Sequence, residues 1–387
     1  MRKDWETKQL NEISENLDSY RVPITKNIRT SGTIPYYGAS GIVDYVGDYI
    51  FDDELLLVSE DGANLLARTY PIAFSVKGKC WVNNHAHVLR FKDAATRTFI
   101  EYYLNAIGLE DFVSGMAQPK LNQAMLNKIP IPFPPLKEQK RIVSILDEAF
   151  AAIDKAKVNA EKNLGNAREL FEGYLQNVFE KKGEGWEEKT LIDVCELKPQ
   201  KKEAKDKLKE GDLVTFLPME DLGVLNKEII GVKERQLKDV AGSYTYFADN
   251  DVLLAKITPC FENGKIGIAR NLTNGVGFGS SEYIVFRTLG SIAPEFLYYF
   301  LSRKQIRAEG KKFMSGAVGH KRVSKDWIEN YIIAFPKSLK VQQAIIKKFN
   351  ALSEETKELK NIYKQKIASL EDLKKSILQK AFAGELF

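Results

Sequence analysis

Cysteine and histidine are scarce in this chain, three of each in 387 residues. Cys80, Cys195 and Cys260 are scattered and odd in number. They offer neither a disulfide framework nor zinc spacing, and they read as small buried hydrophobes. His85, His87 and His320 are too few for a histidine-rich metal site. His85 and His87 are spaced to bind a metal from one strand, but no acidic or thiol residue stands beside them in the sequence. Long apolar runs are missing too: none approaches the roughly 18 residues of a membrane span. The opening MRKDWETKQL lacks the apolar stretch of a signal peptide, so a cytoplasmic protein is expected. No excess of one charge dominates either. With 57 basic and 52 acidic residues the net charge is +5, which permits nucleic-acid binding without requiring it.

Catalytic signatures are also missing. There is no Gly-x-x-x-x-Gly-Lys-Ser/Thr loop for phosphates, no Gly-x-Ser-x-Gly elbow and no His-Glu-x-x-His. The Asn/Asp-Pro-Pro-aromatic motif of an amino-methyltransferase is not found. Gly275, Gly277 and Gly279 fall between strand candidates instead of opening a helix, which argues against a dinucleotide site. A hydrophobic fraction of 44% and a charged fraction of 28% are ordinary for a globular protein, and the length predicts two or three domains.

What is present is a duplication. Trp5 opens WETKQLNEISENL and Trp186 opens WEEKTLIDVCELK. Each copy runs to a Phe-Pro step, Phe133-Pro134 and Phe335-Pro336, and then into a long charged helix. One helix closes on LQNVF and the other on LQKAF. So long a period is no solenoid repeat; it is a globular unit plus helix, used twice, and such a chain presents two similar surfaces to one target. In the first copy Leu55-Leu56-Leu57-Val58 and Val88-Leu89-Arg90-Phe91 read as buried strands, followed by a helical patch over 98–105 and a glycine-bearing loop over 114–122. In the second, Val252-Leu253-Leu254-Ala255 and Tyr283-Ile284-Val285-Phe286 are the strands, 294–303 the helical patch and 315–324 the loop. Both patches hold adjacent tyrosines, Tyr102-Tyr103 and Tyr298-Tyr299.

Prolines 134, 135 and 336 mark where the two long helices can begin. A seam with alternating spacings of four and three runs through the first: Ile142, Leu146, Ala149, Ile153, Ala156, Ala160, Asn163, Ala167, Leu170, Tyr174. The second repeats it as Ile345, Phe349, Leu352, Thr356, Leu359, Tyr363, Lys366, Leu370, Leu373, Ile377. A sustained 3.5-residue seam favours pairing of the two helices in a coiled coil over separate packing of each on its own domain. A helix over 137–180 would span about 66 Å and act as a spacer. The polar break falls at matching places, Asn163 and Lys366, which either fix register or form a solvated gap.

Some segments are specific enough to be placed. Phe247-x-x-x-Asp251-Val-Leu-Leu-Ala-Lys-Ile-Thr-Pro-Cys-Phe-Glu-Asn-Gly-Lys-Ile-Gly267, followed by Gly277-Phe-Gly-Ser-Ser-Glu282, strongly resembles a target recognition domain of the type I restriction–modification specificity subunits. The first copy looks like another variety of that domain, with Ile34-Pro-Tyr-Tyr-Gly-Ala-Ser-Gly41 and Leu57-Val-Ser-Glu-Asp-Gly-Ala-Asn64. Pro135-Leu-Lys-Glu-Gln139 with Ile142 is similar to the start of the family's conserved helix; the second helix opens Ser338-Leu-Lys-Val-Gln342, keeping the Leu and Gln. The resemblance covers nearly the whole chain. It implies an α+β protein: two mixed α/β target recognition domains of similar fold, separated by two long helices pairing as an antiparallel coiled coil, with a pseudo-twofold internal repeat. The expected boundaries are 1–135 and 183–337 for the domains, 136–182 and 338–387 for the helices. Helix pairing is assigned to Ile142, Leu146, Ile153, Leu170 and Tyr174 with Ile345, Phe349, Leu352, Leu359, Leu370, Leu373 and Ile377.

The resemblance further implies a non-catalytic subunit in which each domain reads half of a bipartite site on double-stranded DNA. Two adenine methyltransferase subunits and two motor–nuclease subunits would be its partners, and S-adenosylmethionine, ATP and magnesium would belong to them, with no cofactor or metal in this chain. Base reading needs forked donors and acceptors on loops. In the first domain the candidates are Lys77, Lys79, Asn83, Asn84 and His85, then Gln118, Lys120 and Asn122. In the second they are Lys256, Thr258, Lys265, Ser280, Ser281 and Glu282, then His320, Lys321 and Arg322. Asn83-Asn-His-Ala-His87 stands where the second copy has Ser-Ser-Glu, so the two domains are expected to read different sequences. The basic segment 198–209 either tracks phosphate or lies disordered. Tyr36, Tyr37, Tyr244 and Tyr246, at strand-like spacing, read as packing. Two other readings stay open: a two-headed coiled-coil scaffold that binds proteins or peptides, and a nuclease using Glu60 and Asp61.

Overall fold

A computed structural model describes residues 5–115, 118–229, 233–317 and 319–386. It divides into two compact units. One takes the residues up to Glu161 and those from Lys364 onward; the other takes Lys162–Tyr363.

In the first unit the β-branched and leucine-rich segments form one six-stranded sheet. Its order is Glu15–Asn16, Ala86–Arg90, Phe51–Ser59, Ala73–Val82, Ser31–Gly38, Gly41–Val46. Leu55, Leu56, Leu57 and Val58 are all fully buried, as expected of a strand covered on both faces. Leu56 and Val58 face a core shared with the helix Ala94–Ala106, while Leu55 and Leu57 face a second core with Val76, Cys80 and Val88. Burial pushes the Cys80 thiol up to about 11, in keeping with a packing role. A separate ribbon pairs Glu6–Gln9 with Pro130–Phe133.

The second unit repeats this plan. Cys195–Leu197, Tyr283–Thr288, Val252–Ala255 and Ile266–Ile268 form a sheet in the same spatial order as the first four strands above. Trp186–Thr190 pairs with Ile332–Pro336 as the ribbon, Trp186 opposite Pro336. The helix Pro294–Leu301 buries six side chains between the sheet and the long helices. Among the described residues one feature has no counterpart in the first unit: a second four-stranded sheet in the order Lys233–Gln236, Leu213–Leu217, Val276–Gly279, Thr245–Ala248. Gly277 and Gly279 therefore lie within a strand, not between strands as expected. A Cβ at Gly279 would stand 2.4 Å from the Leu217 carbonyl oxygen, so close packing of backbone requires glycine there. Within the basic segment, Lys202–Lys207 is a helix that buries Ala204, and its Glu203 bonds Arg287. Tyr36 and Tyr246 are buried in the cores.

The long helices are Leu136–Lys181 and Leu339–Ala383. Lys182, with φ of 37°, ends the first in a left-handed turn. Within the first unit the two segments run antiparallel. Lys157 Nζ meets Glu371 Oε1 at 2.7 Å, Lys374 Nζ meets Asp154 Oδ1 at 3.3 Å, and Arg141 Nη2 donates to the Leu386 carbonyl at 3.1 Å, so position rises on one helix as it falls on the other. Ile142, Leu146 and Ile153 are buried there, with Leu370 and Ile377 packed against them. In the second unit Phe349 is fully buried and Ile345 and Tyr174 pack against the same core. The helices do not choose between pairing and packing on their own domain; each unit's core combines both helices with its domain.

That double duty shifts the seam. Leu170 and Leu373 are 54% and 47% exposed, against the expectation that they pair. Leu175 and Ile346, off the expected seam, are buried instead, because the face turned to the domain takes apolar residues as well. Leu352 and Leu359 are half-buried, and Asn163 and Lys366 are exposed, so the polar break is solvated. The glutamine shared by the helix starts clamps each junction. Gln139 accepts from Thr96 Oγ1 and donates to the Pro134 carbonyl, both at 2.8 Å. Gln342 accepts from the Ala293 amide at 2.8 Å and donates to the carbonyls of Ser291 and Pro336.

Candidate nucleic-acid interface

Three chain segments that are far apart in sequence meet in each unit, and they meet through the same backbone hydrogen bonds. In the first unit the Glu60 amide donates to the His85 carbonyl, the Leu121 amide to Glu60, and the Gly62 amide to Pro119, at 2.9, 2.8 and 3.0 Å. In the second, the Lys256 amide donates to the Glu282 carbonyl, the Val323 amide to Lys256, and the Thr258 amide to Lys321, all at 2.9 Å. Glu60 thus corresponds to Lys256, His85 to Glu282 and Lys120 to Arg322. The capping is duplicated as well. Asn122 accepts from the Met125 amide at 3.0 Å and Ser324 from the Trp327 amide at 3.4 Å, each starting a short helix. Asn83 Oδ1 accepts from the His85 amide at 2.8 Å just as Ser280 Oγ accepts from the Glu282 amide at 3.2 Å.

These bonds sort the sequence-derived candidates. Asn84, His85, Gln118 and Lys120 are exposed in the first unit's patch, and Ser281, His320, Lys321 and Arg322 in the second's. Asn83 is buried, and its side chain shapes the turn; Asn122 and Ser280 are likewise engaged with backbone. Lys256 is half-buried and donates to the Ser281 carbonyl at 2.9 Å. Burial, helped by the charges of Arg322 and Lys198 against that of Glu282, lowers its pKa. Thr258 Oγ1 meets Glu262 at 3.2 Å, and Lys265 Nζ donates to the Met219 carbonyl at 2.6 Å. Lys77 and Lys79 lie apart from the patch: they sit opposite Glu54 and Asp52, on the stretch of Phe51–Ser59 remote from Ser59. Lys77 pairs with Glu54 at 2.8 Å; hydrogen bonds from Lys77 and Arg97 hold that carboxyl down at about 2. Lys79 lies over the Tyr49 ring at 4.4 Å. Met116, Ala117 and Val318 of the two loops lie outside the described residues.

The first unit's patch rests on a charge cluster that linear spacing does not reveal. His87 is buried; its Nε2 donates to the Leu121 carbonyl at 2.7 Å and its Nδ1 meets Asp18 Oδ2 at 2.6 Å. Arg21 Nη1 bonds Glu60 Oε2 at 2.7 Å and the Ala86 carbonyl at 2.8 Å, and Lys120 reaches Glu60 Oε1 at 3.2 Å. Burial acts to raise Asp18, but the hydrogen bond and charge of His87, the Val88 amide and Arg21 outweigh it, so the carboxyl sits below its ordinary value. Glu60 is lowered too: burial opposes, while Arg21, His87 and Lys120 prevail. His85 Nδ1 meets Asp61 Oδ2 at 2.8 Å. Both histidines therefore do have acidic partners, supplied by the fold. Among the described residues no group of three or more His, Cys, Asp or Glu could hold a metal. Glu60 is engaged with Arg21 and Lys120, and Asp61 with the His85 imidazole.

Carboxylates held below their ordinary values stabilise the fold at pH above about 4, and that contribution disappears as pH falls through the lowered values. Unfolding free energy of the wild type is expected to drop steeply below pH 4, and an Asp18→Asn, Glu60→Gln variant to show a flatter acid limb in urea titrations. Equal slopes would show that this cluster has no linkage to folding.

Comparison with known proteins follows the same duplication. The family model for the type I restriction modification DNA specificity domain matches residues 2–162 and again 183–371. The chain is 42% identical over 146 residues to S.HindORF215P of Haemophilus influenzae, covering 38% of this chain and 37% of that one. It is 35% identical over 173 residues to the type I restriction enzyme EcoEI specificity subunit of Escherichia coli, covering 44% and 28%. The matches thus span well under half of those relatives' own length. Across 100% of this chain and 99% of the other, the fold matches a chain solved in work on complex assembly and conformational transition of the type I R-M system, with a TM-score of 0.72 at 19% identity. Among the described residues no helix is long and apolar enough to cross a membrane. With two family matches that together cover most of its length, the chain belongs to the type I restriction modification DNA specificity domain family.

Proposed function

We propose that this chain is the non-catalytic DNA-reading subunit of a type I restriction–modification complex, each domain recognising one half of a bipartite site. The observation that carries the reading is the twice-built patch: one backbone framework holding different polar side chains, His85, Lys120 and Gln118 in one unit, Arg322, His320 and Lys321 in the other. Two unlike half-sites need two unlike readers set at a fixed separation by protein geometry. The long helices supply the spacing. They dock two adenine methyltransferase subunits, and two motor–nuclease subunits complete the assembly. S-adenosylmethionine, ATP and magnesium are bound by those partners.

The test is a map of modified adenines after co-expression with the cognate methyltransferase in an unmethylated host. The expected motif is two short defined blocks around a fixed gap. Replacing the exposed Gln118 and Lys120 changes one block and leaves the other intact. A continuous motif overturns the two-reader geometry. The two-headed scaffold is separated by salt: DNA affinity falls steeply with ionic strength through counterion release, and a salt-insensitive complex with a peptide would favour the scaffold.

A further inference from the structure

Position 120 in the first unit and position 322 in the second occupy the same place in the shared framework, and both are basic, but they are held differently. Lys120 offers a single ammonium, drawn to Glu60 at 3.2 Å. Arg322 is gripped by a carboxylate: Nε donates to Glu282 Oε2 at 2.9 Å and Nη2 to Oε1 at 2.7 Å, while Nη1 reaches the His320 carbonyl at 3.2 Å. A guanidinium has five N–H donors. Three are used, which leaves one on Nη1 and one on Nη2. Arg322 is about half exposed, its side chain 47% accessible.

Its backbone is pinned on both sides. The Thr258 amide donates to Lys321 and the Val323 amide to Lys256, each at 2.9 Å, and Arg322 pairs with Ser315 across the short ribbon Met314–Ser315 with Arg322–Val323. Glu282 is fixed in turn by its amide, which donates a hydrogen bond to Ser280 Oγ, and by its carbonyl, which accepts from the Lys256 amide. The hydrogen bond from Arg322 keeps the Glu282 carboxyl ionised, below its ordinary value. Both Glu282 oxygens already accept from Arg322, so they are poorly placed to accept from a cytosine amino group. The two remaining N–H groups form a fork that matches O6 and N7 of guanine in the major groove. Because carboxylate and backbone fix the fork beforehand, little side-chain freedom is lost on binding.

We infer that Arg322 reads a guanine in the half-site of the second domain and that Glu282 is the positioning residue that aims it. This rests on the proposed DNA-reading function and adds to it the base class and the division of roles. Lys120, with no fork, does not make the equivalent reading in the first domain.

The experiment maps methylated adenines for the full chain co-expressed with its methyltransferase, comparing wild type, Arg322→Ala, Arg322→Lys, Glu282→Gln and the exchanged pair Arg322→Glu with Glu282→Arg. Co-purification with the methyltransferase and thermal unfolding confirm that each variant is folded. The expected wild-type block for the second domain contains a G·C pair. Arg322→Ala and Arg322→Lys lose at least about tenfold of the preference for that guanine, and the other block stays intact. Glu282→Gln keeps the same preferred base but tolerates others more. The inference is overturned if Arg322→Ala retains full preference at every position. It is also overturned if the exchanged pair restores the wild-type motif, since the pair would then only latch two loops together. A wild-type motif that is bipartite but unchanged by any of these variants sinks the inference alone; a continuous wild-type motif sinks the DNA-reading geometry with it.

Discussion

Replacing Phe349 by alanine destabilises the second unit by about 3–5 kcal/mol, the usual range for a fully buried phenylalanine, and lowers its melting temperature by roughly 6–20 °C. The magnitude follows from where the ring sits. Phe349 is fully buried. Its centroid lies 4.8 Å from Tyr299, 6.0 Å from Phe179 and 6.0 Å from Tyr174. Those partners come from the domain and from the other long helix, so one truncation opens a cavity where three elements meet. Aromatic pairs at these spacings contribute beyond their buried area, which places the expected loss toward the upper end. Leu170→Ala, on an exposed side chain of the same helix pair, serves as control and is expected within about 0.5 kcal/mol of wild type. Differential scanning calorimetry of both variants makes the comparison. A shift below 2 °C for Phe349→Ala would mean that helices and domain do not fold as one cooperative core.

That core also shows what the sequence could and could not convey. The helices, of 46 and 45 residues, were legible because apolar positions recurring at spacings of four and three from 142 to 174 and from 345 to 377 fit a helix and not a strand. Leu55 to Val58, the apolar part of the strand Phe51–Ser59, and Val252–Ala255 were legible as unbroken apolar runs. The seam was legible only in part: a one-dimensional pattern reports that a side is apolar, not whether it meets a helix or a domain. Leu170 and Leu373 therefore read as paired and are exposed, while Ile346 was passed over and is buried. The loops of the candidate interface were found because the repeat aligns 118–122 with 320–324. The roles within them were not. Asn83, Asn122 and Ser280 have the right chemistry for reading bases, yet turn and cap geometry claims their side chains. The cluster of Asp18, Arg21, Glu60 and His87 was invisible because its members come from separate strands and turns, joined only when Ala86–Arg90 pairs with both Glu15–Asn16 and Phe51–Ser59.

Asp251→Ala is expected to be the next most damaging change after the loss of Phe349, for an electrostatic reason. Asp251 is 1% exposed and sits between the strands Thr245–Ala248 and Val252–Ala255, which belong to different sheets. It accepts from Arg287 Nε at 2.9 Å, from Arg287 Nη2 at 2.8 Å and from the Ala248 amide at 2.8 Å. Removing it takes away two of the hydrogen bonds of Arg287 and the acceptor of the Ala248 amide, while Arg287, 23% exposed, keeps Glu203. The expected cost is therefore at or below the lower end of the range for breaking a buried pair, about 3–5 kcal/mol. Glu203 also bonds Arg287, but its side chain is 38% exposed, so Glu203→Ala is expected to cost no more than about 1 kcal/mol. The cause can be separated from simple loss of contact. If the guanidinium left without its buried partner is responsible, Asp251→Leu combined with Arg287→Leu is less destabilising than Asp251→Ala alone, because no half-paired guanidinium remains at the site. If the double variant is the worse of the two in urea unfolding, the pair contributes through its attraction and not through the penalty of breaking it. The site is affected in either case, since Val252–Ala255 leads directly into Lys256, whose amide and carbonyl hold the Glu282 and Arg322 segments together.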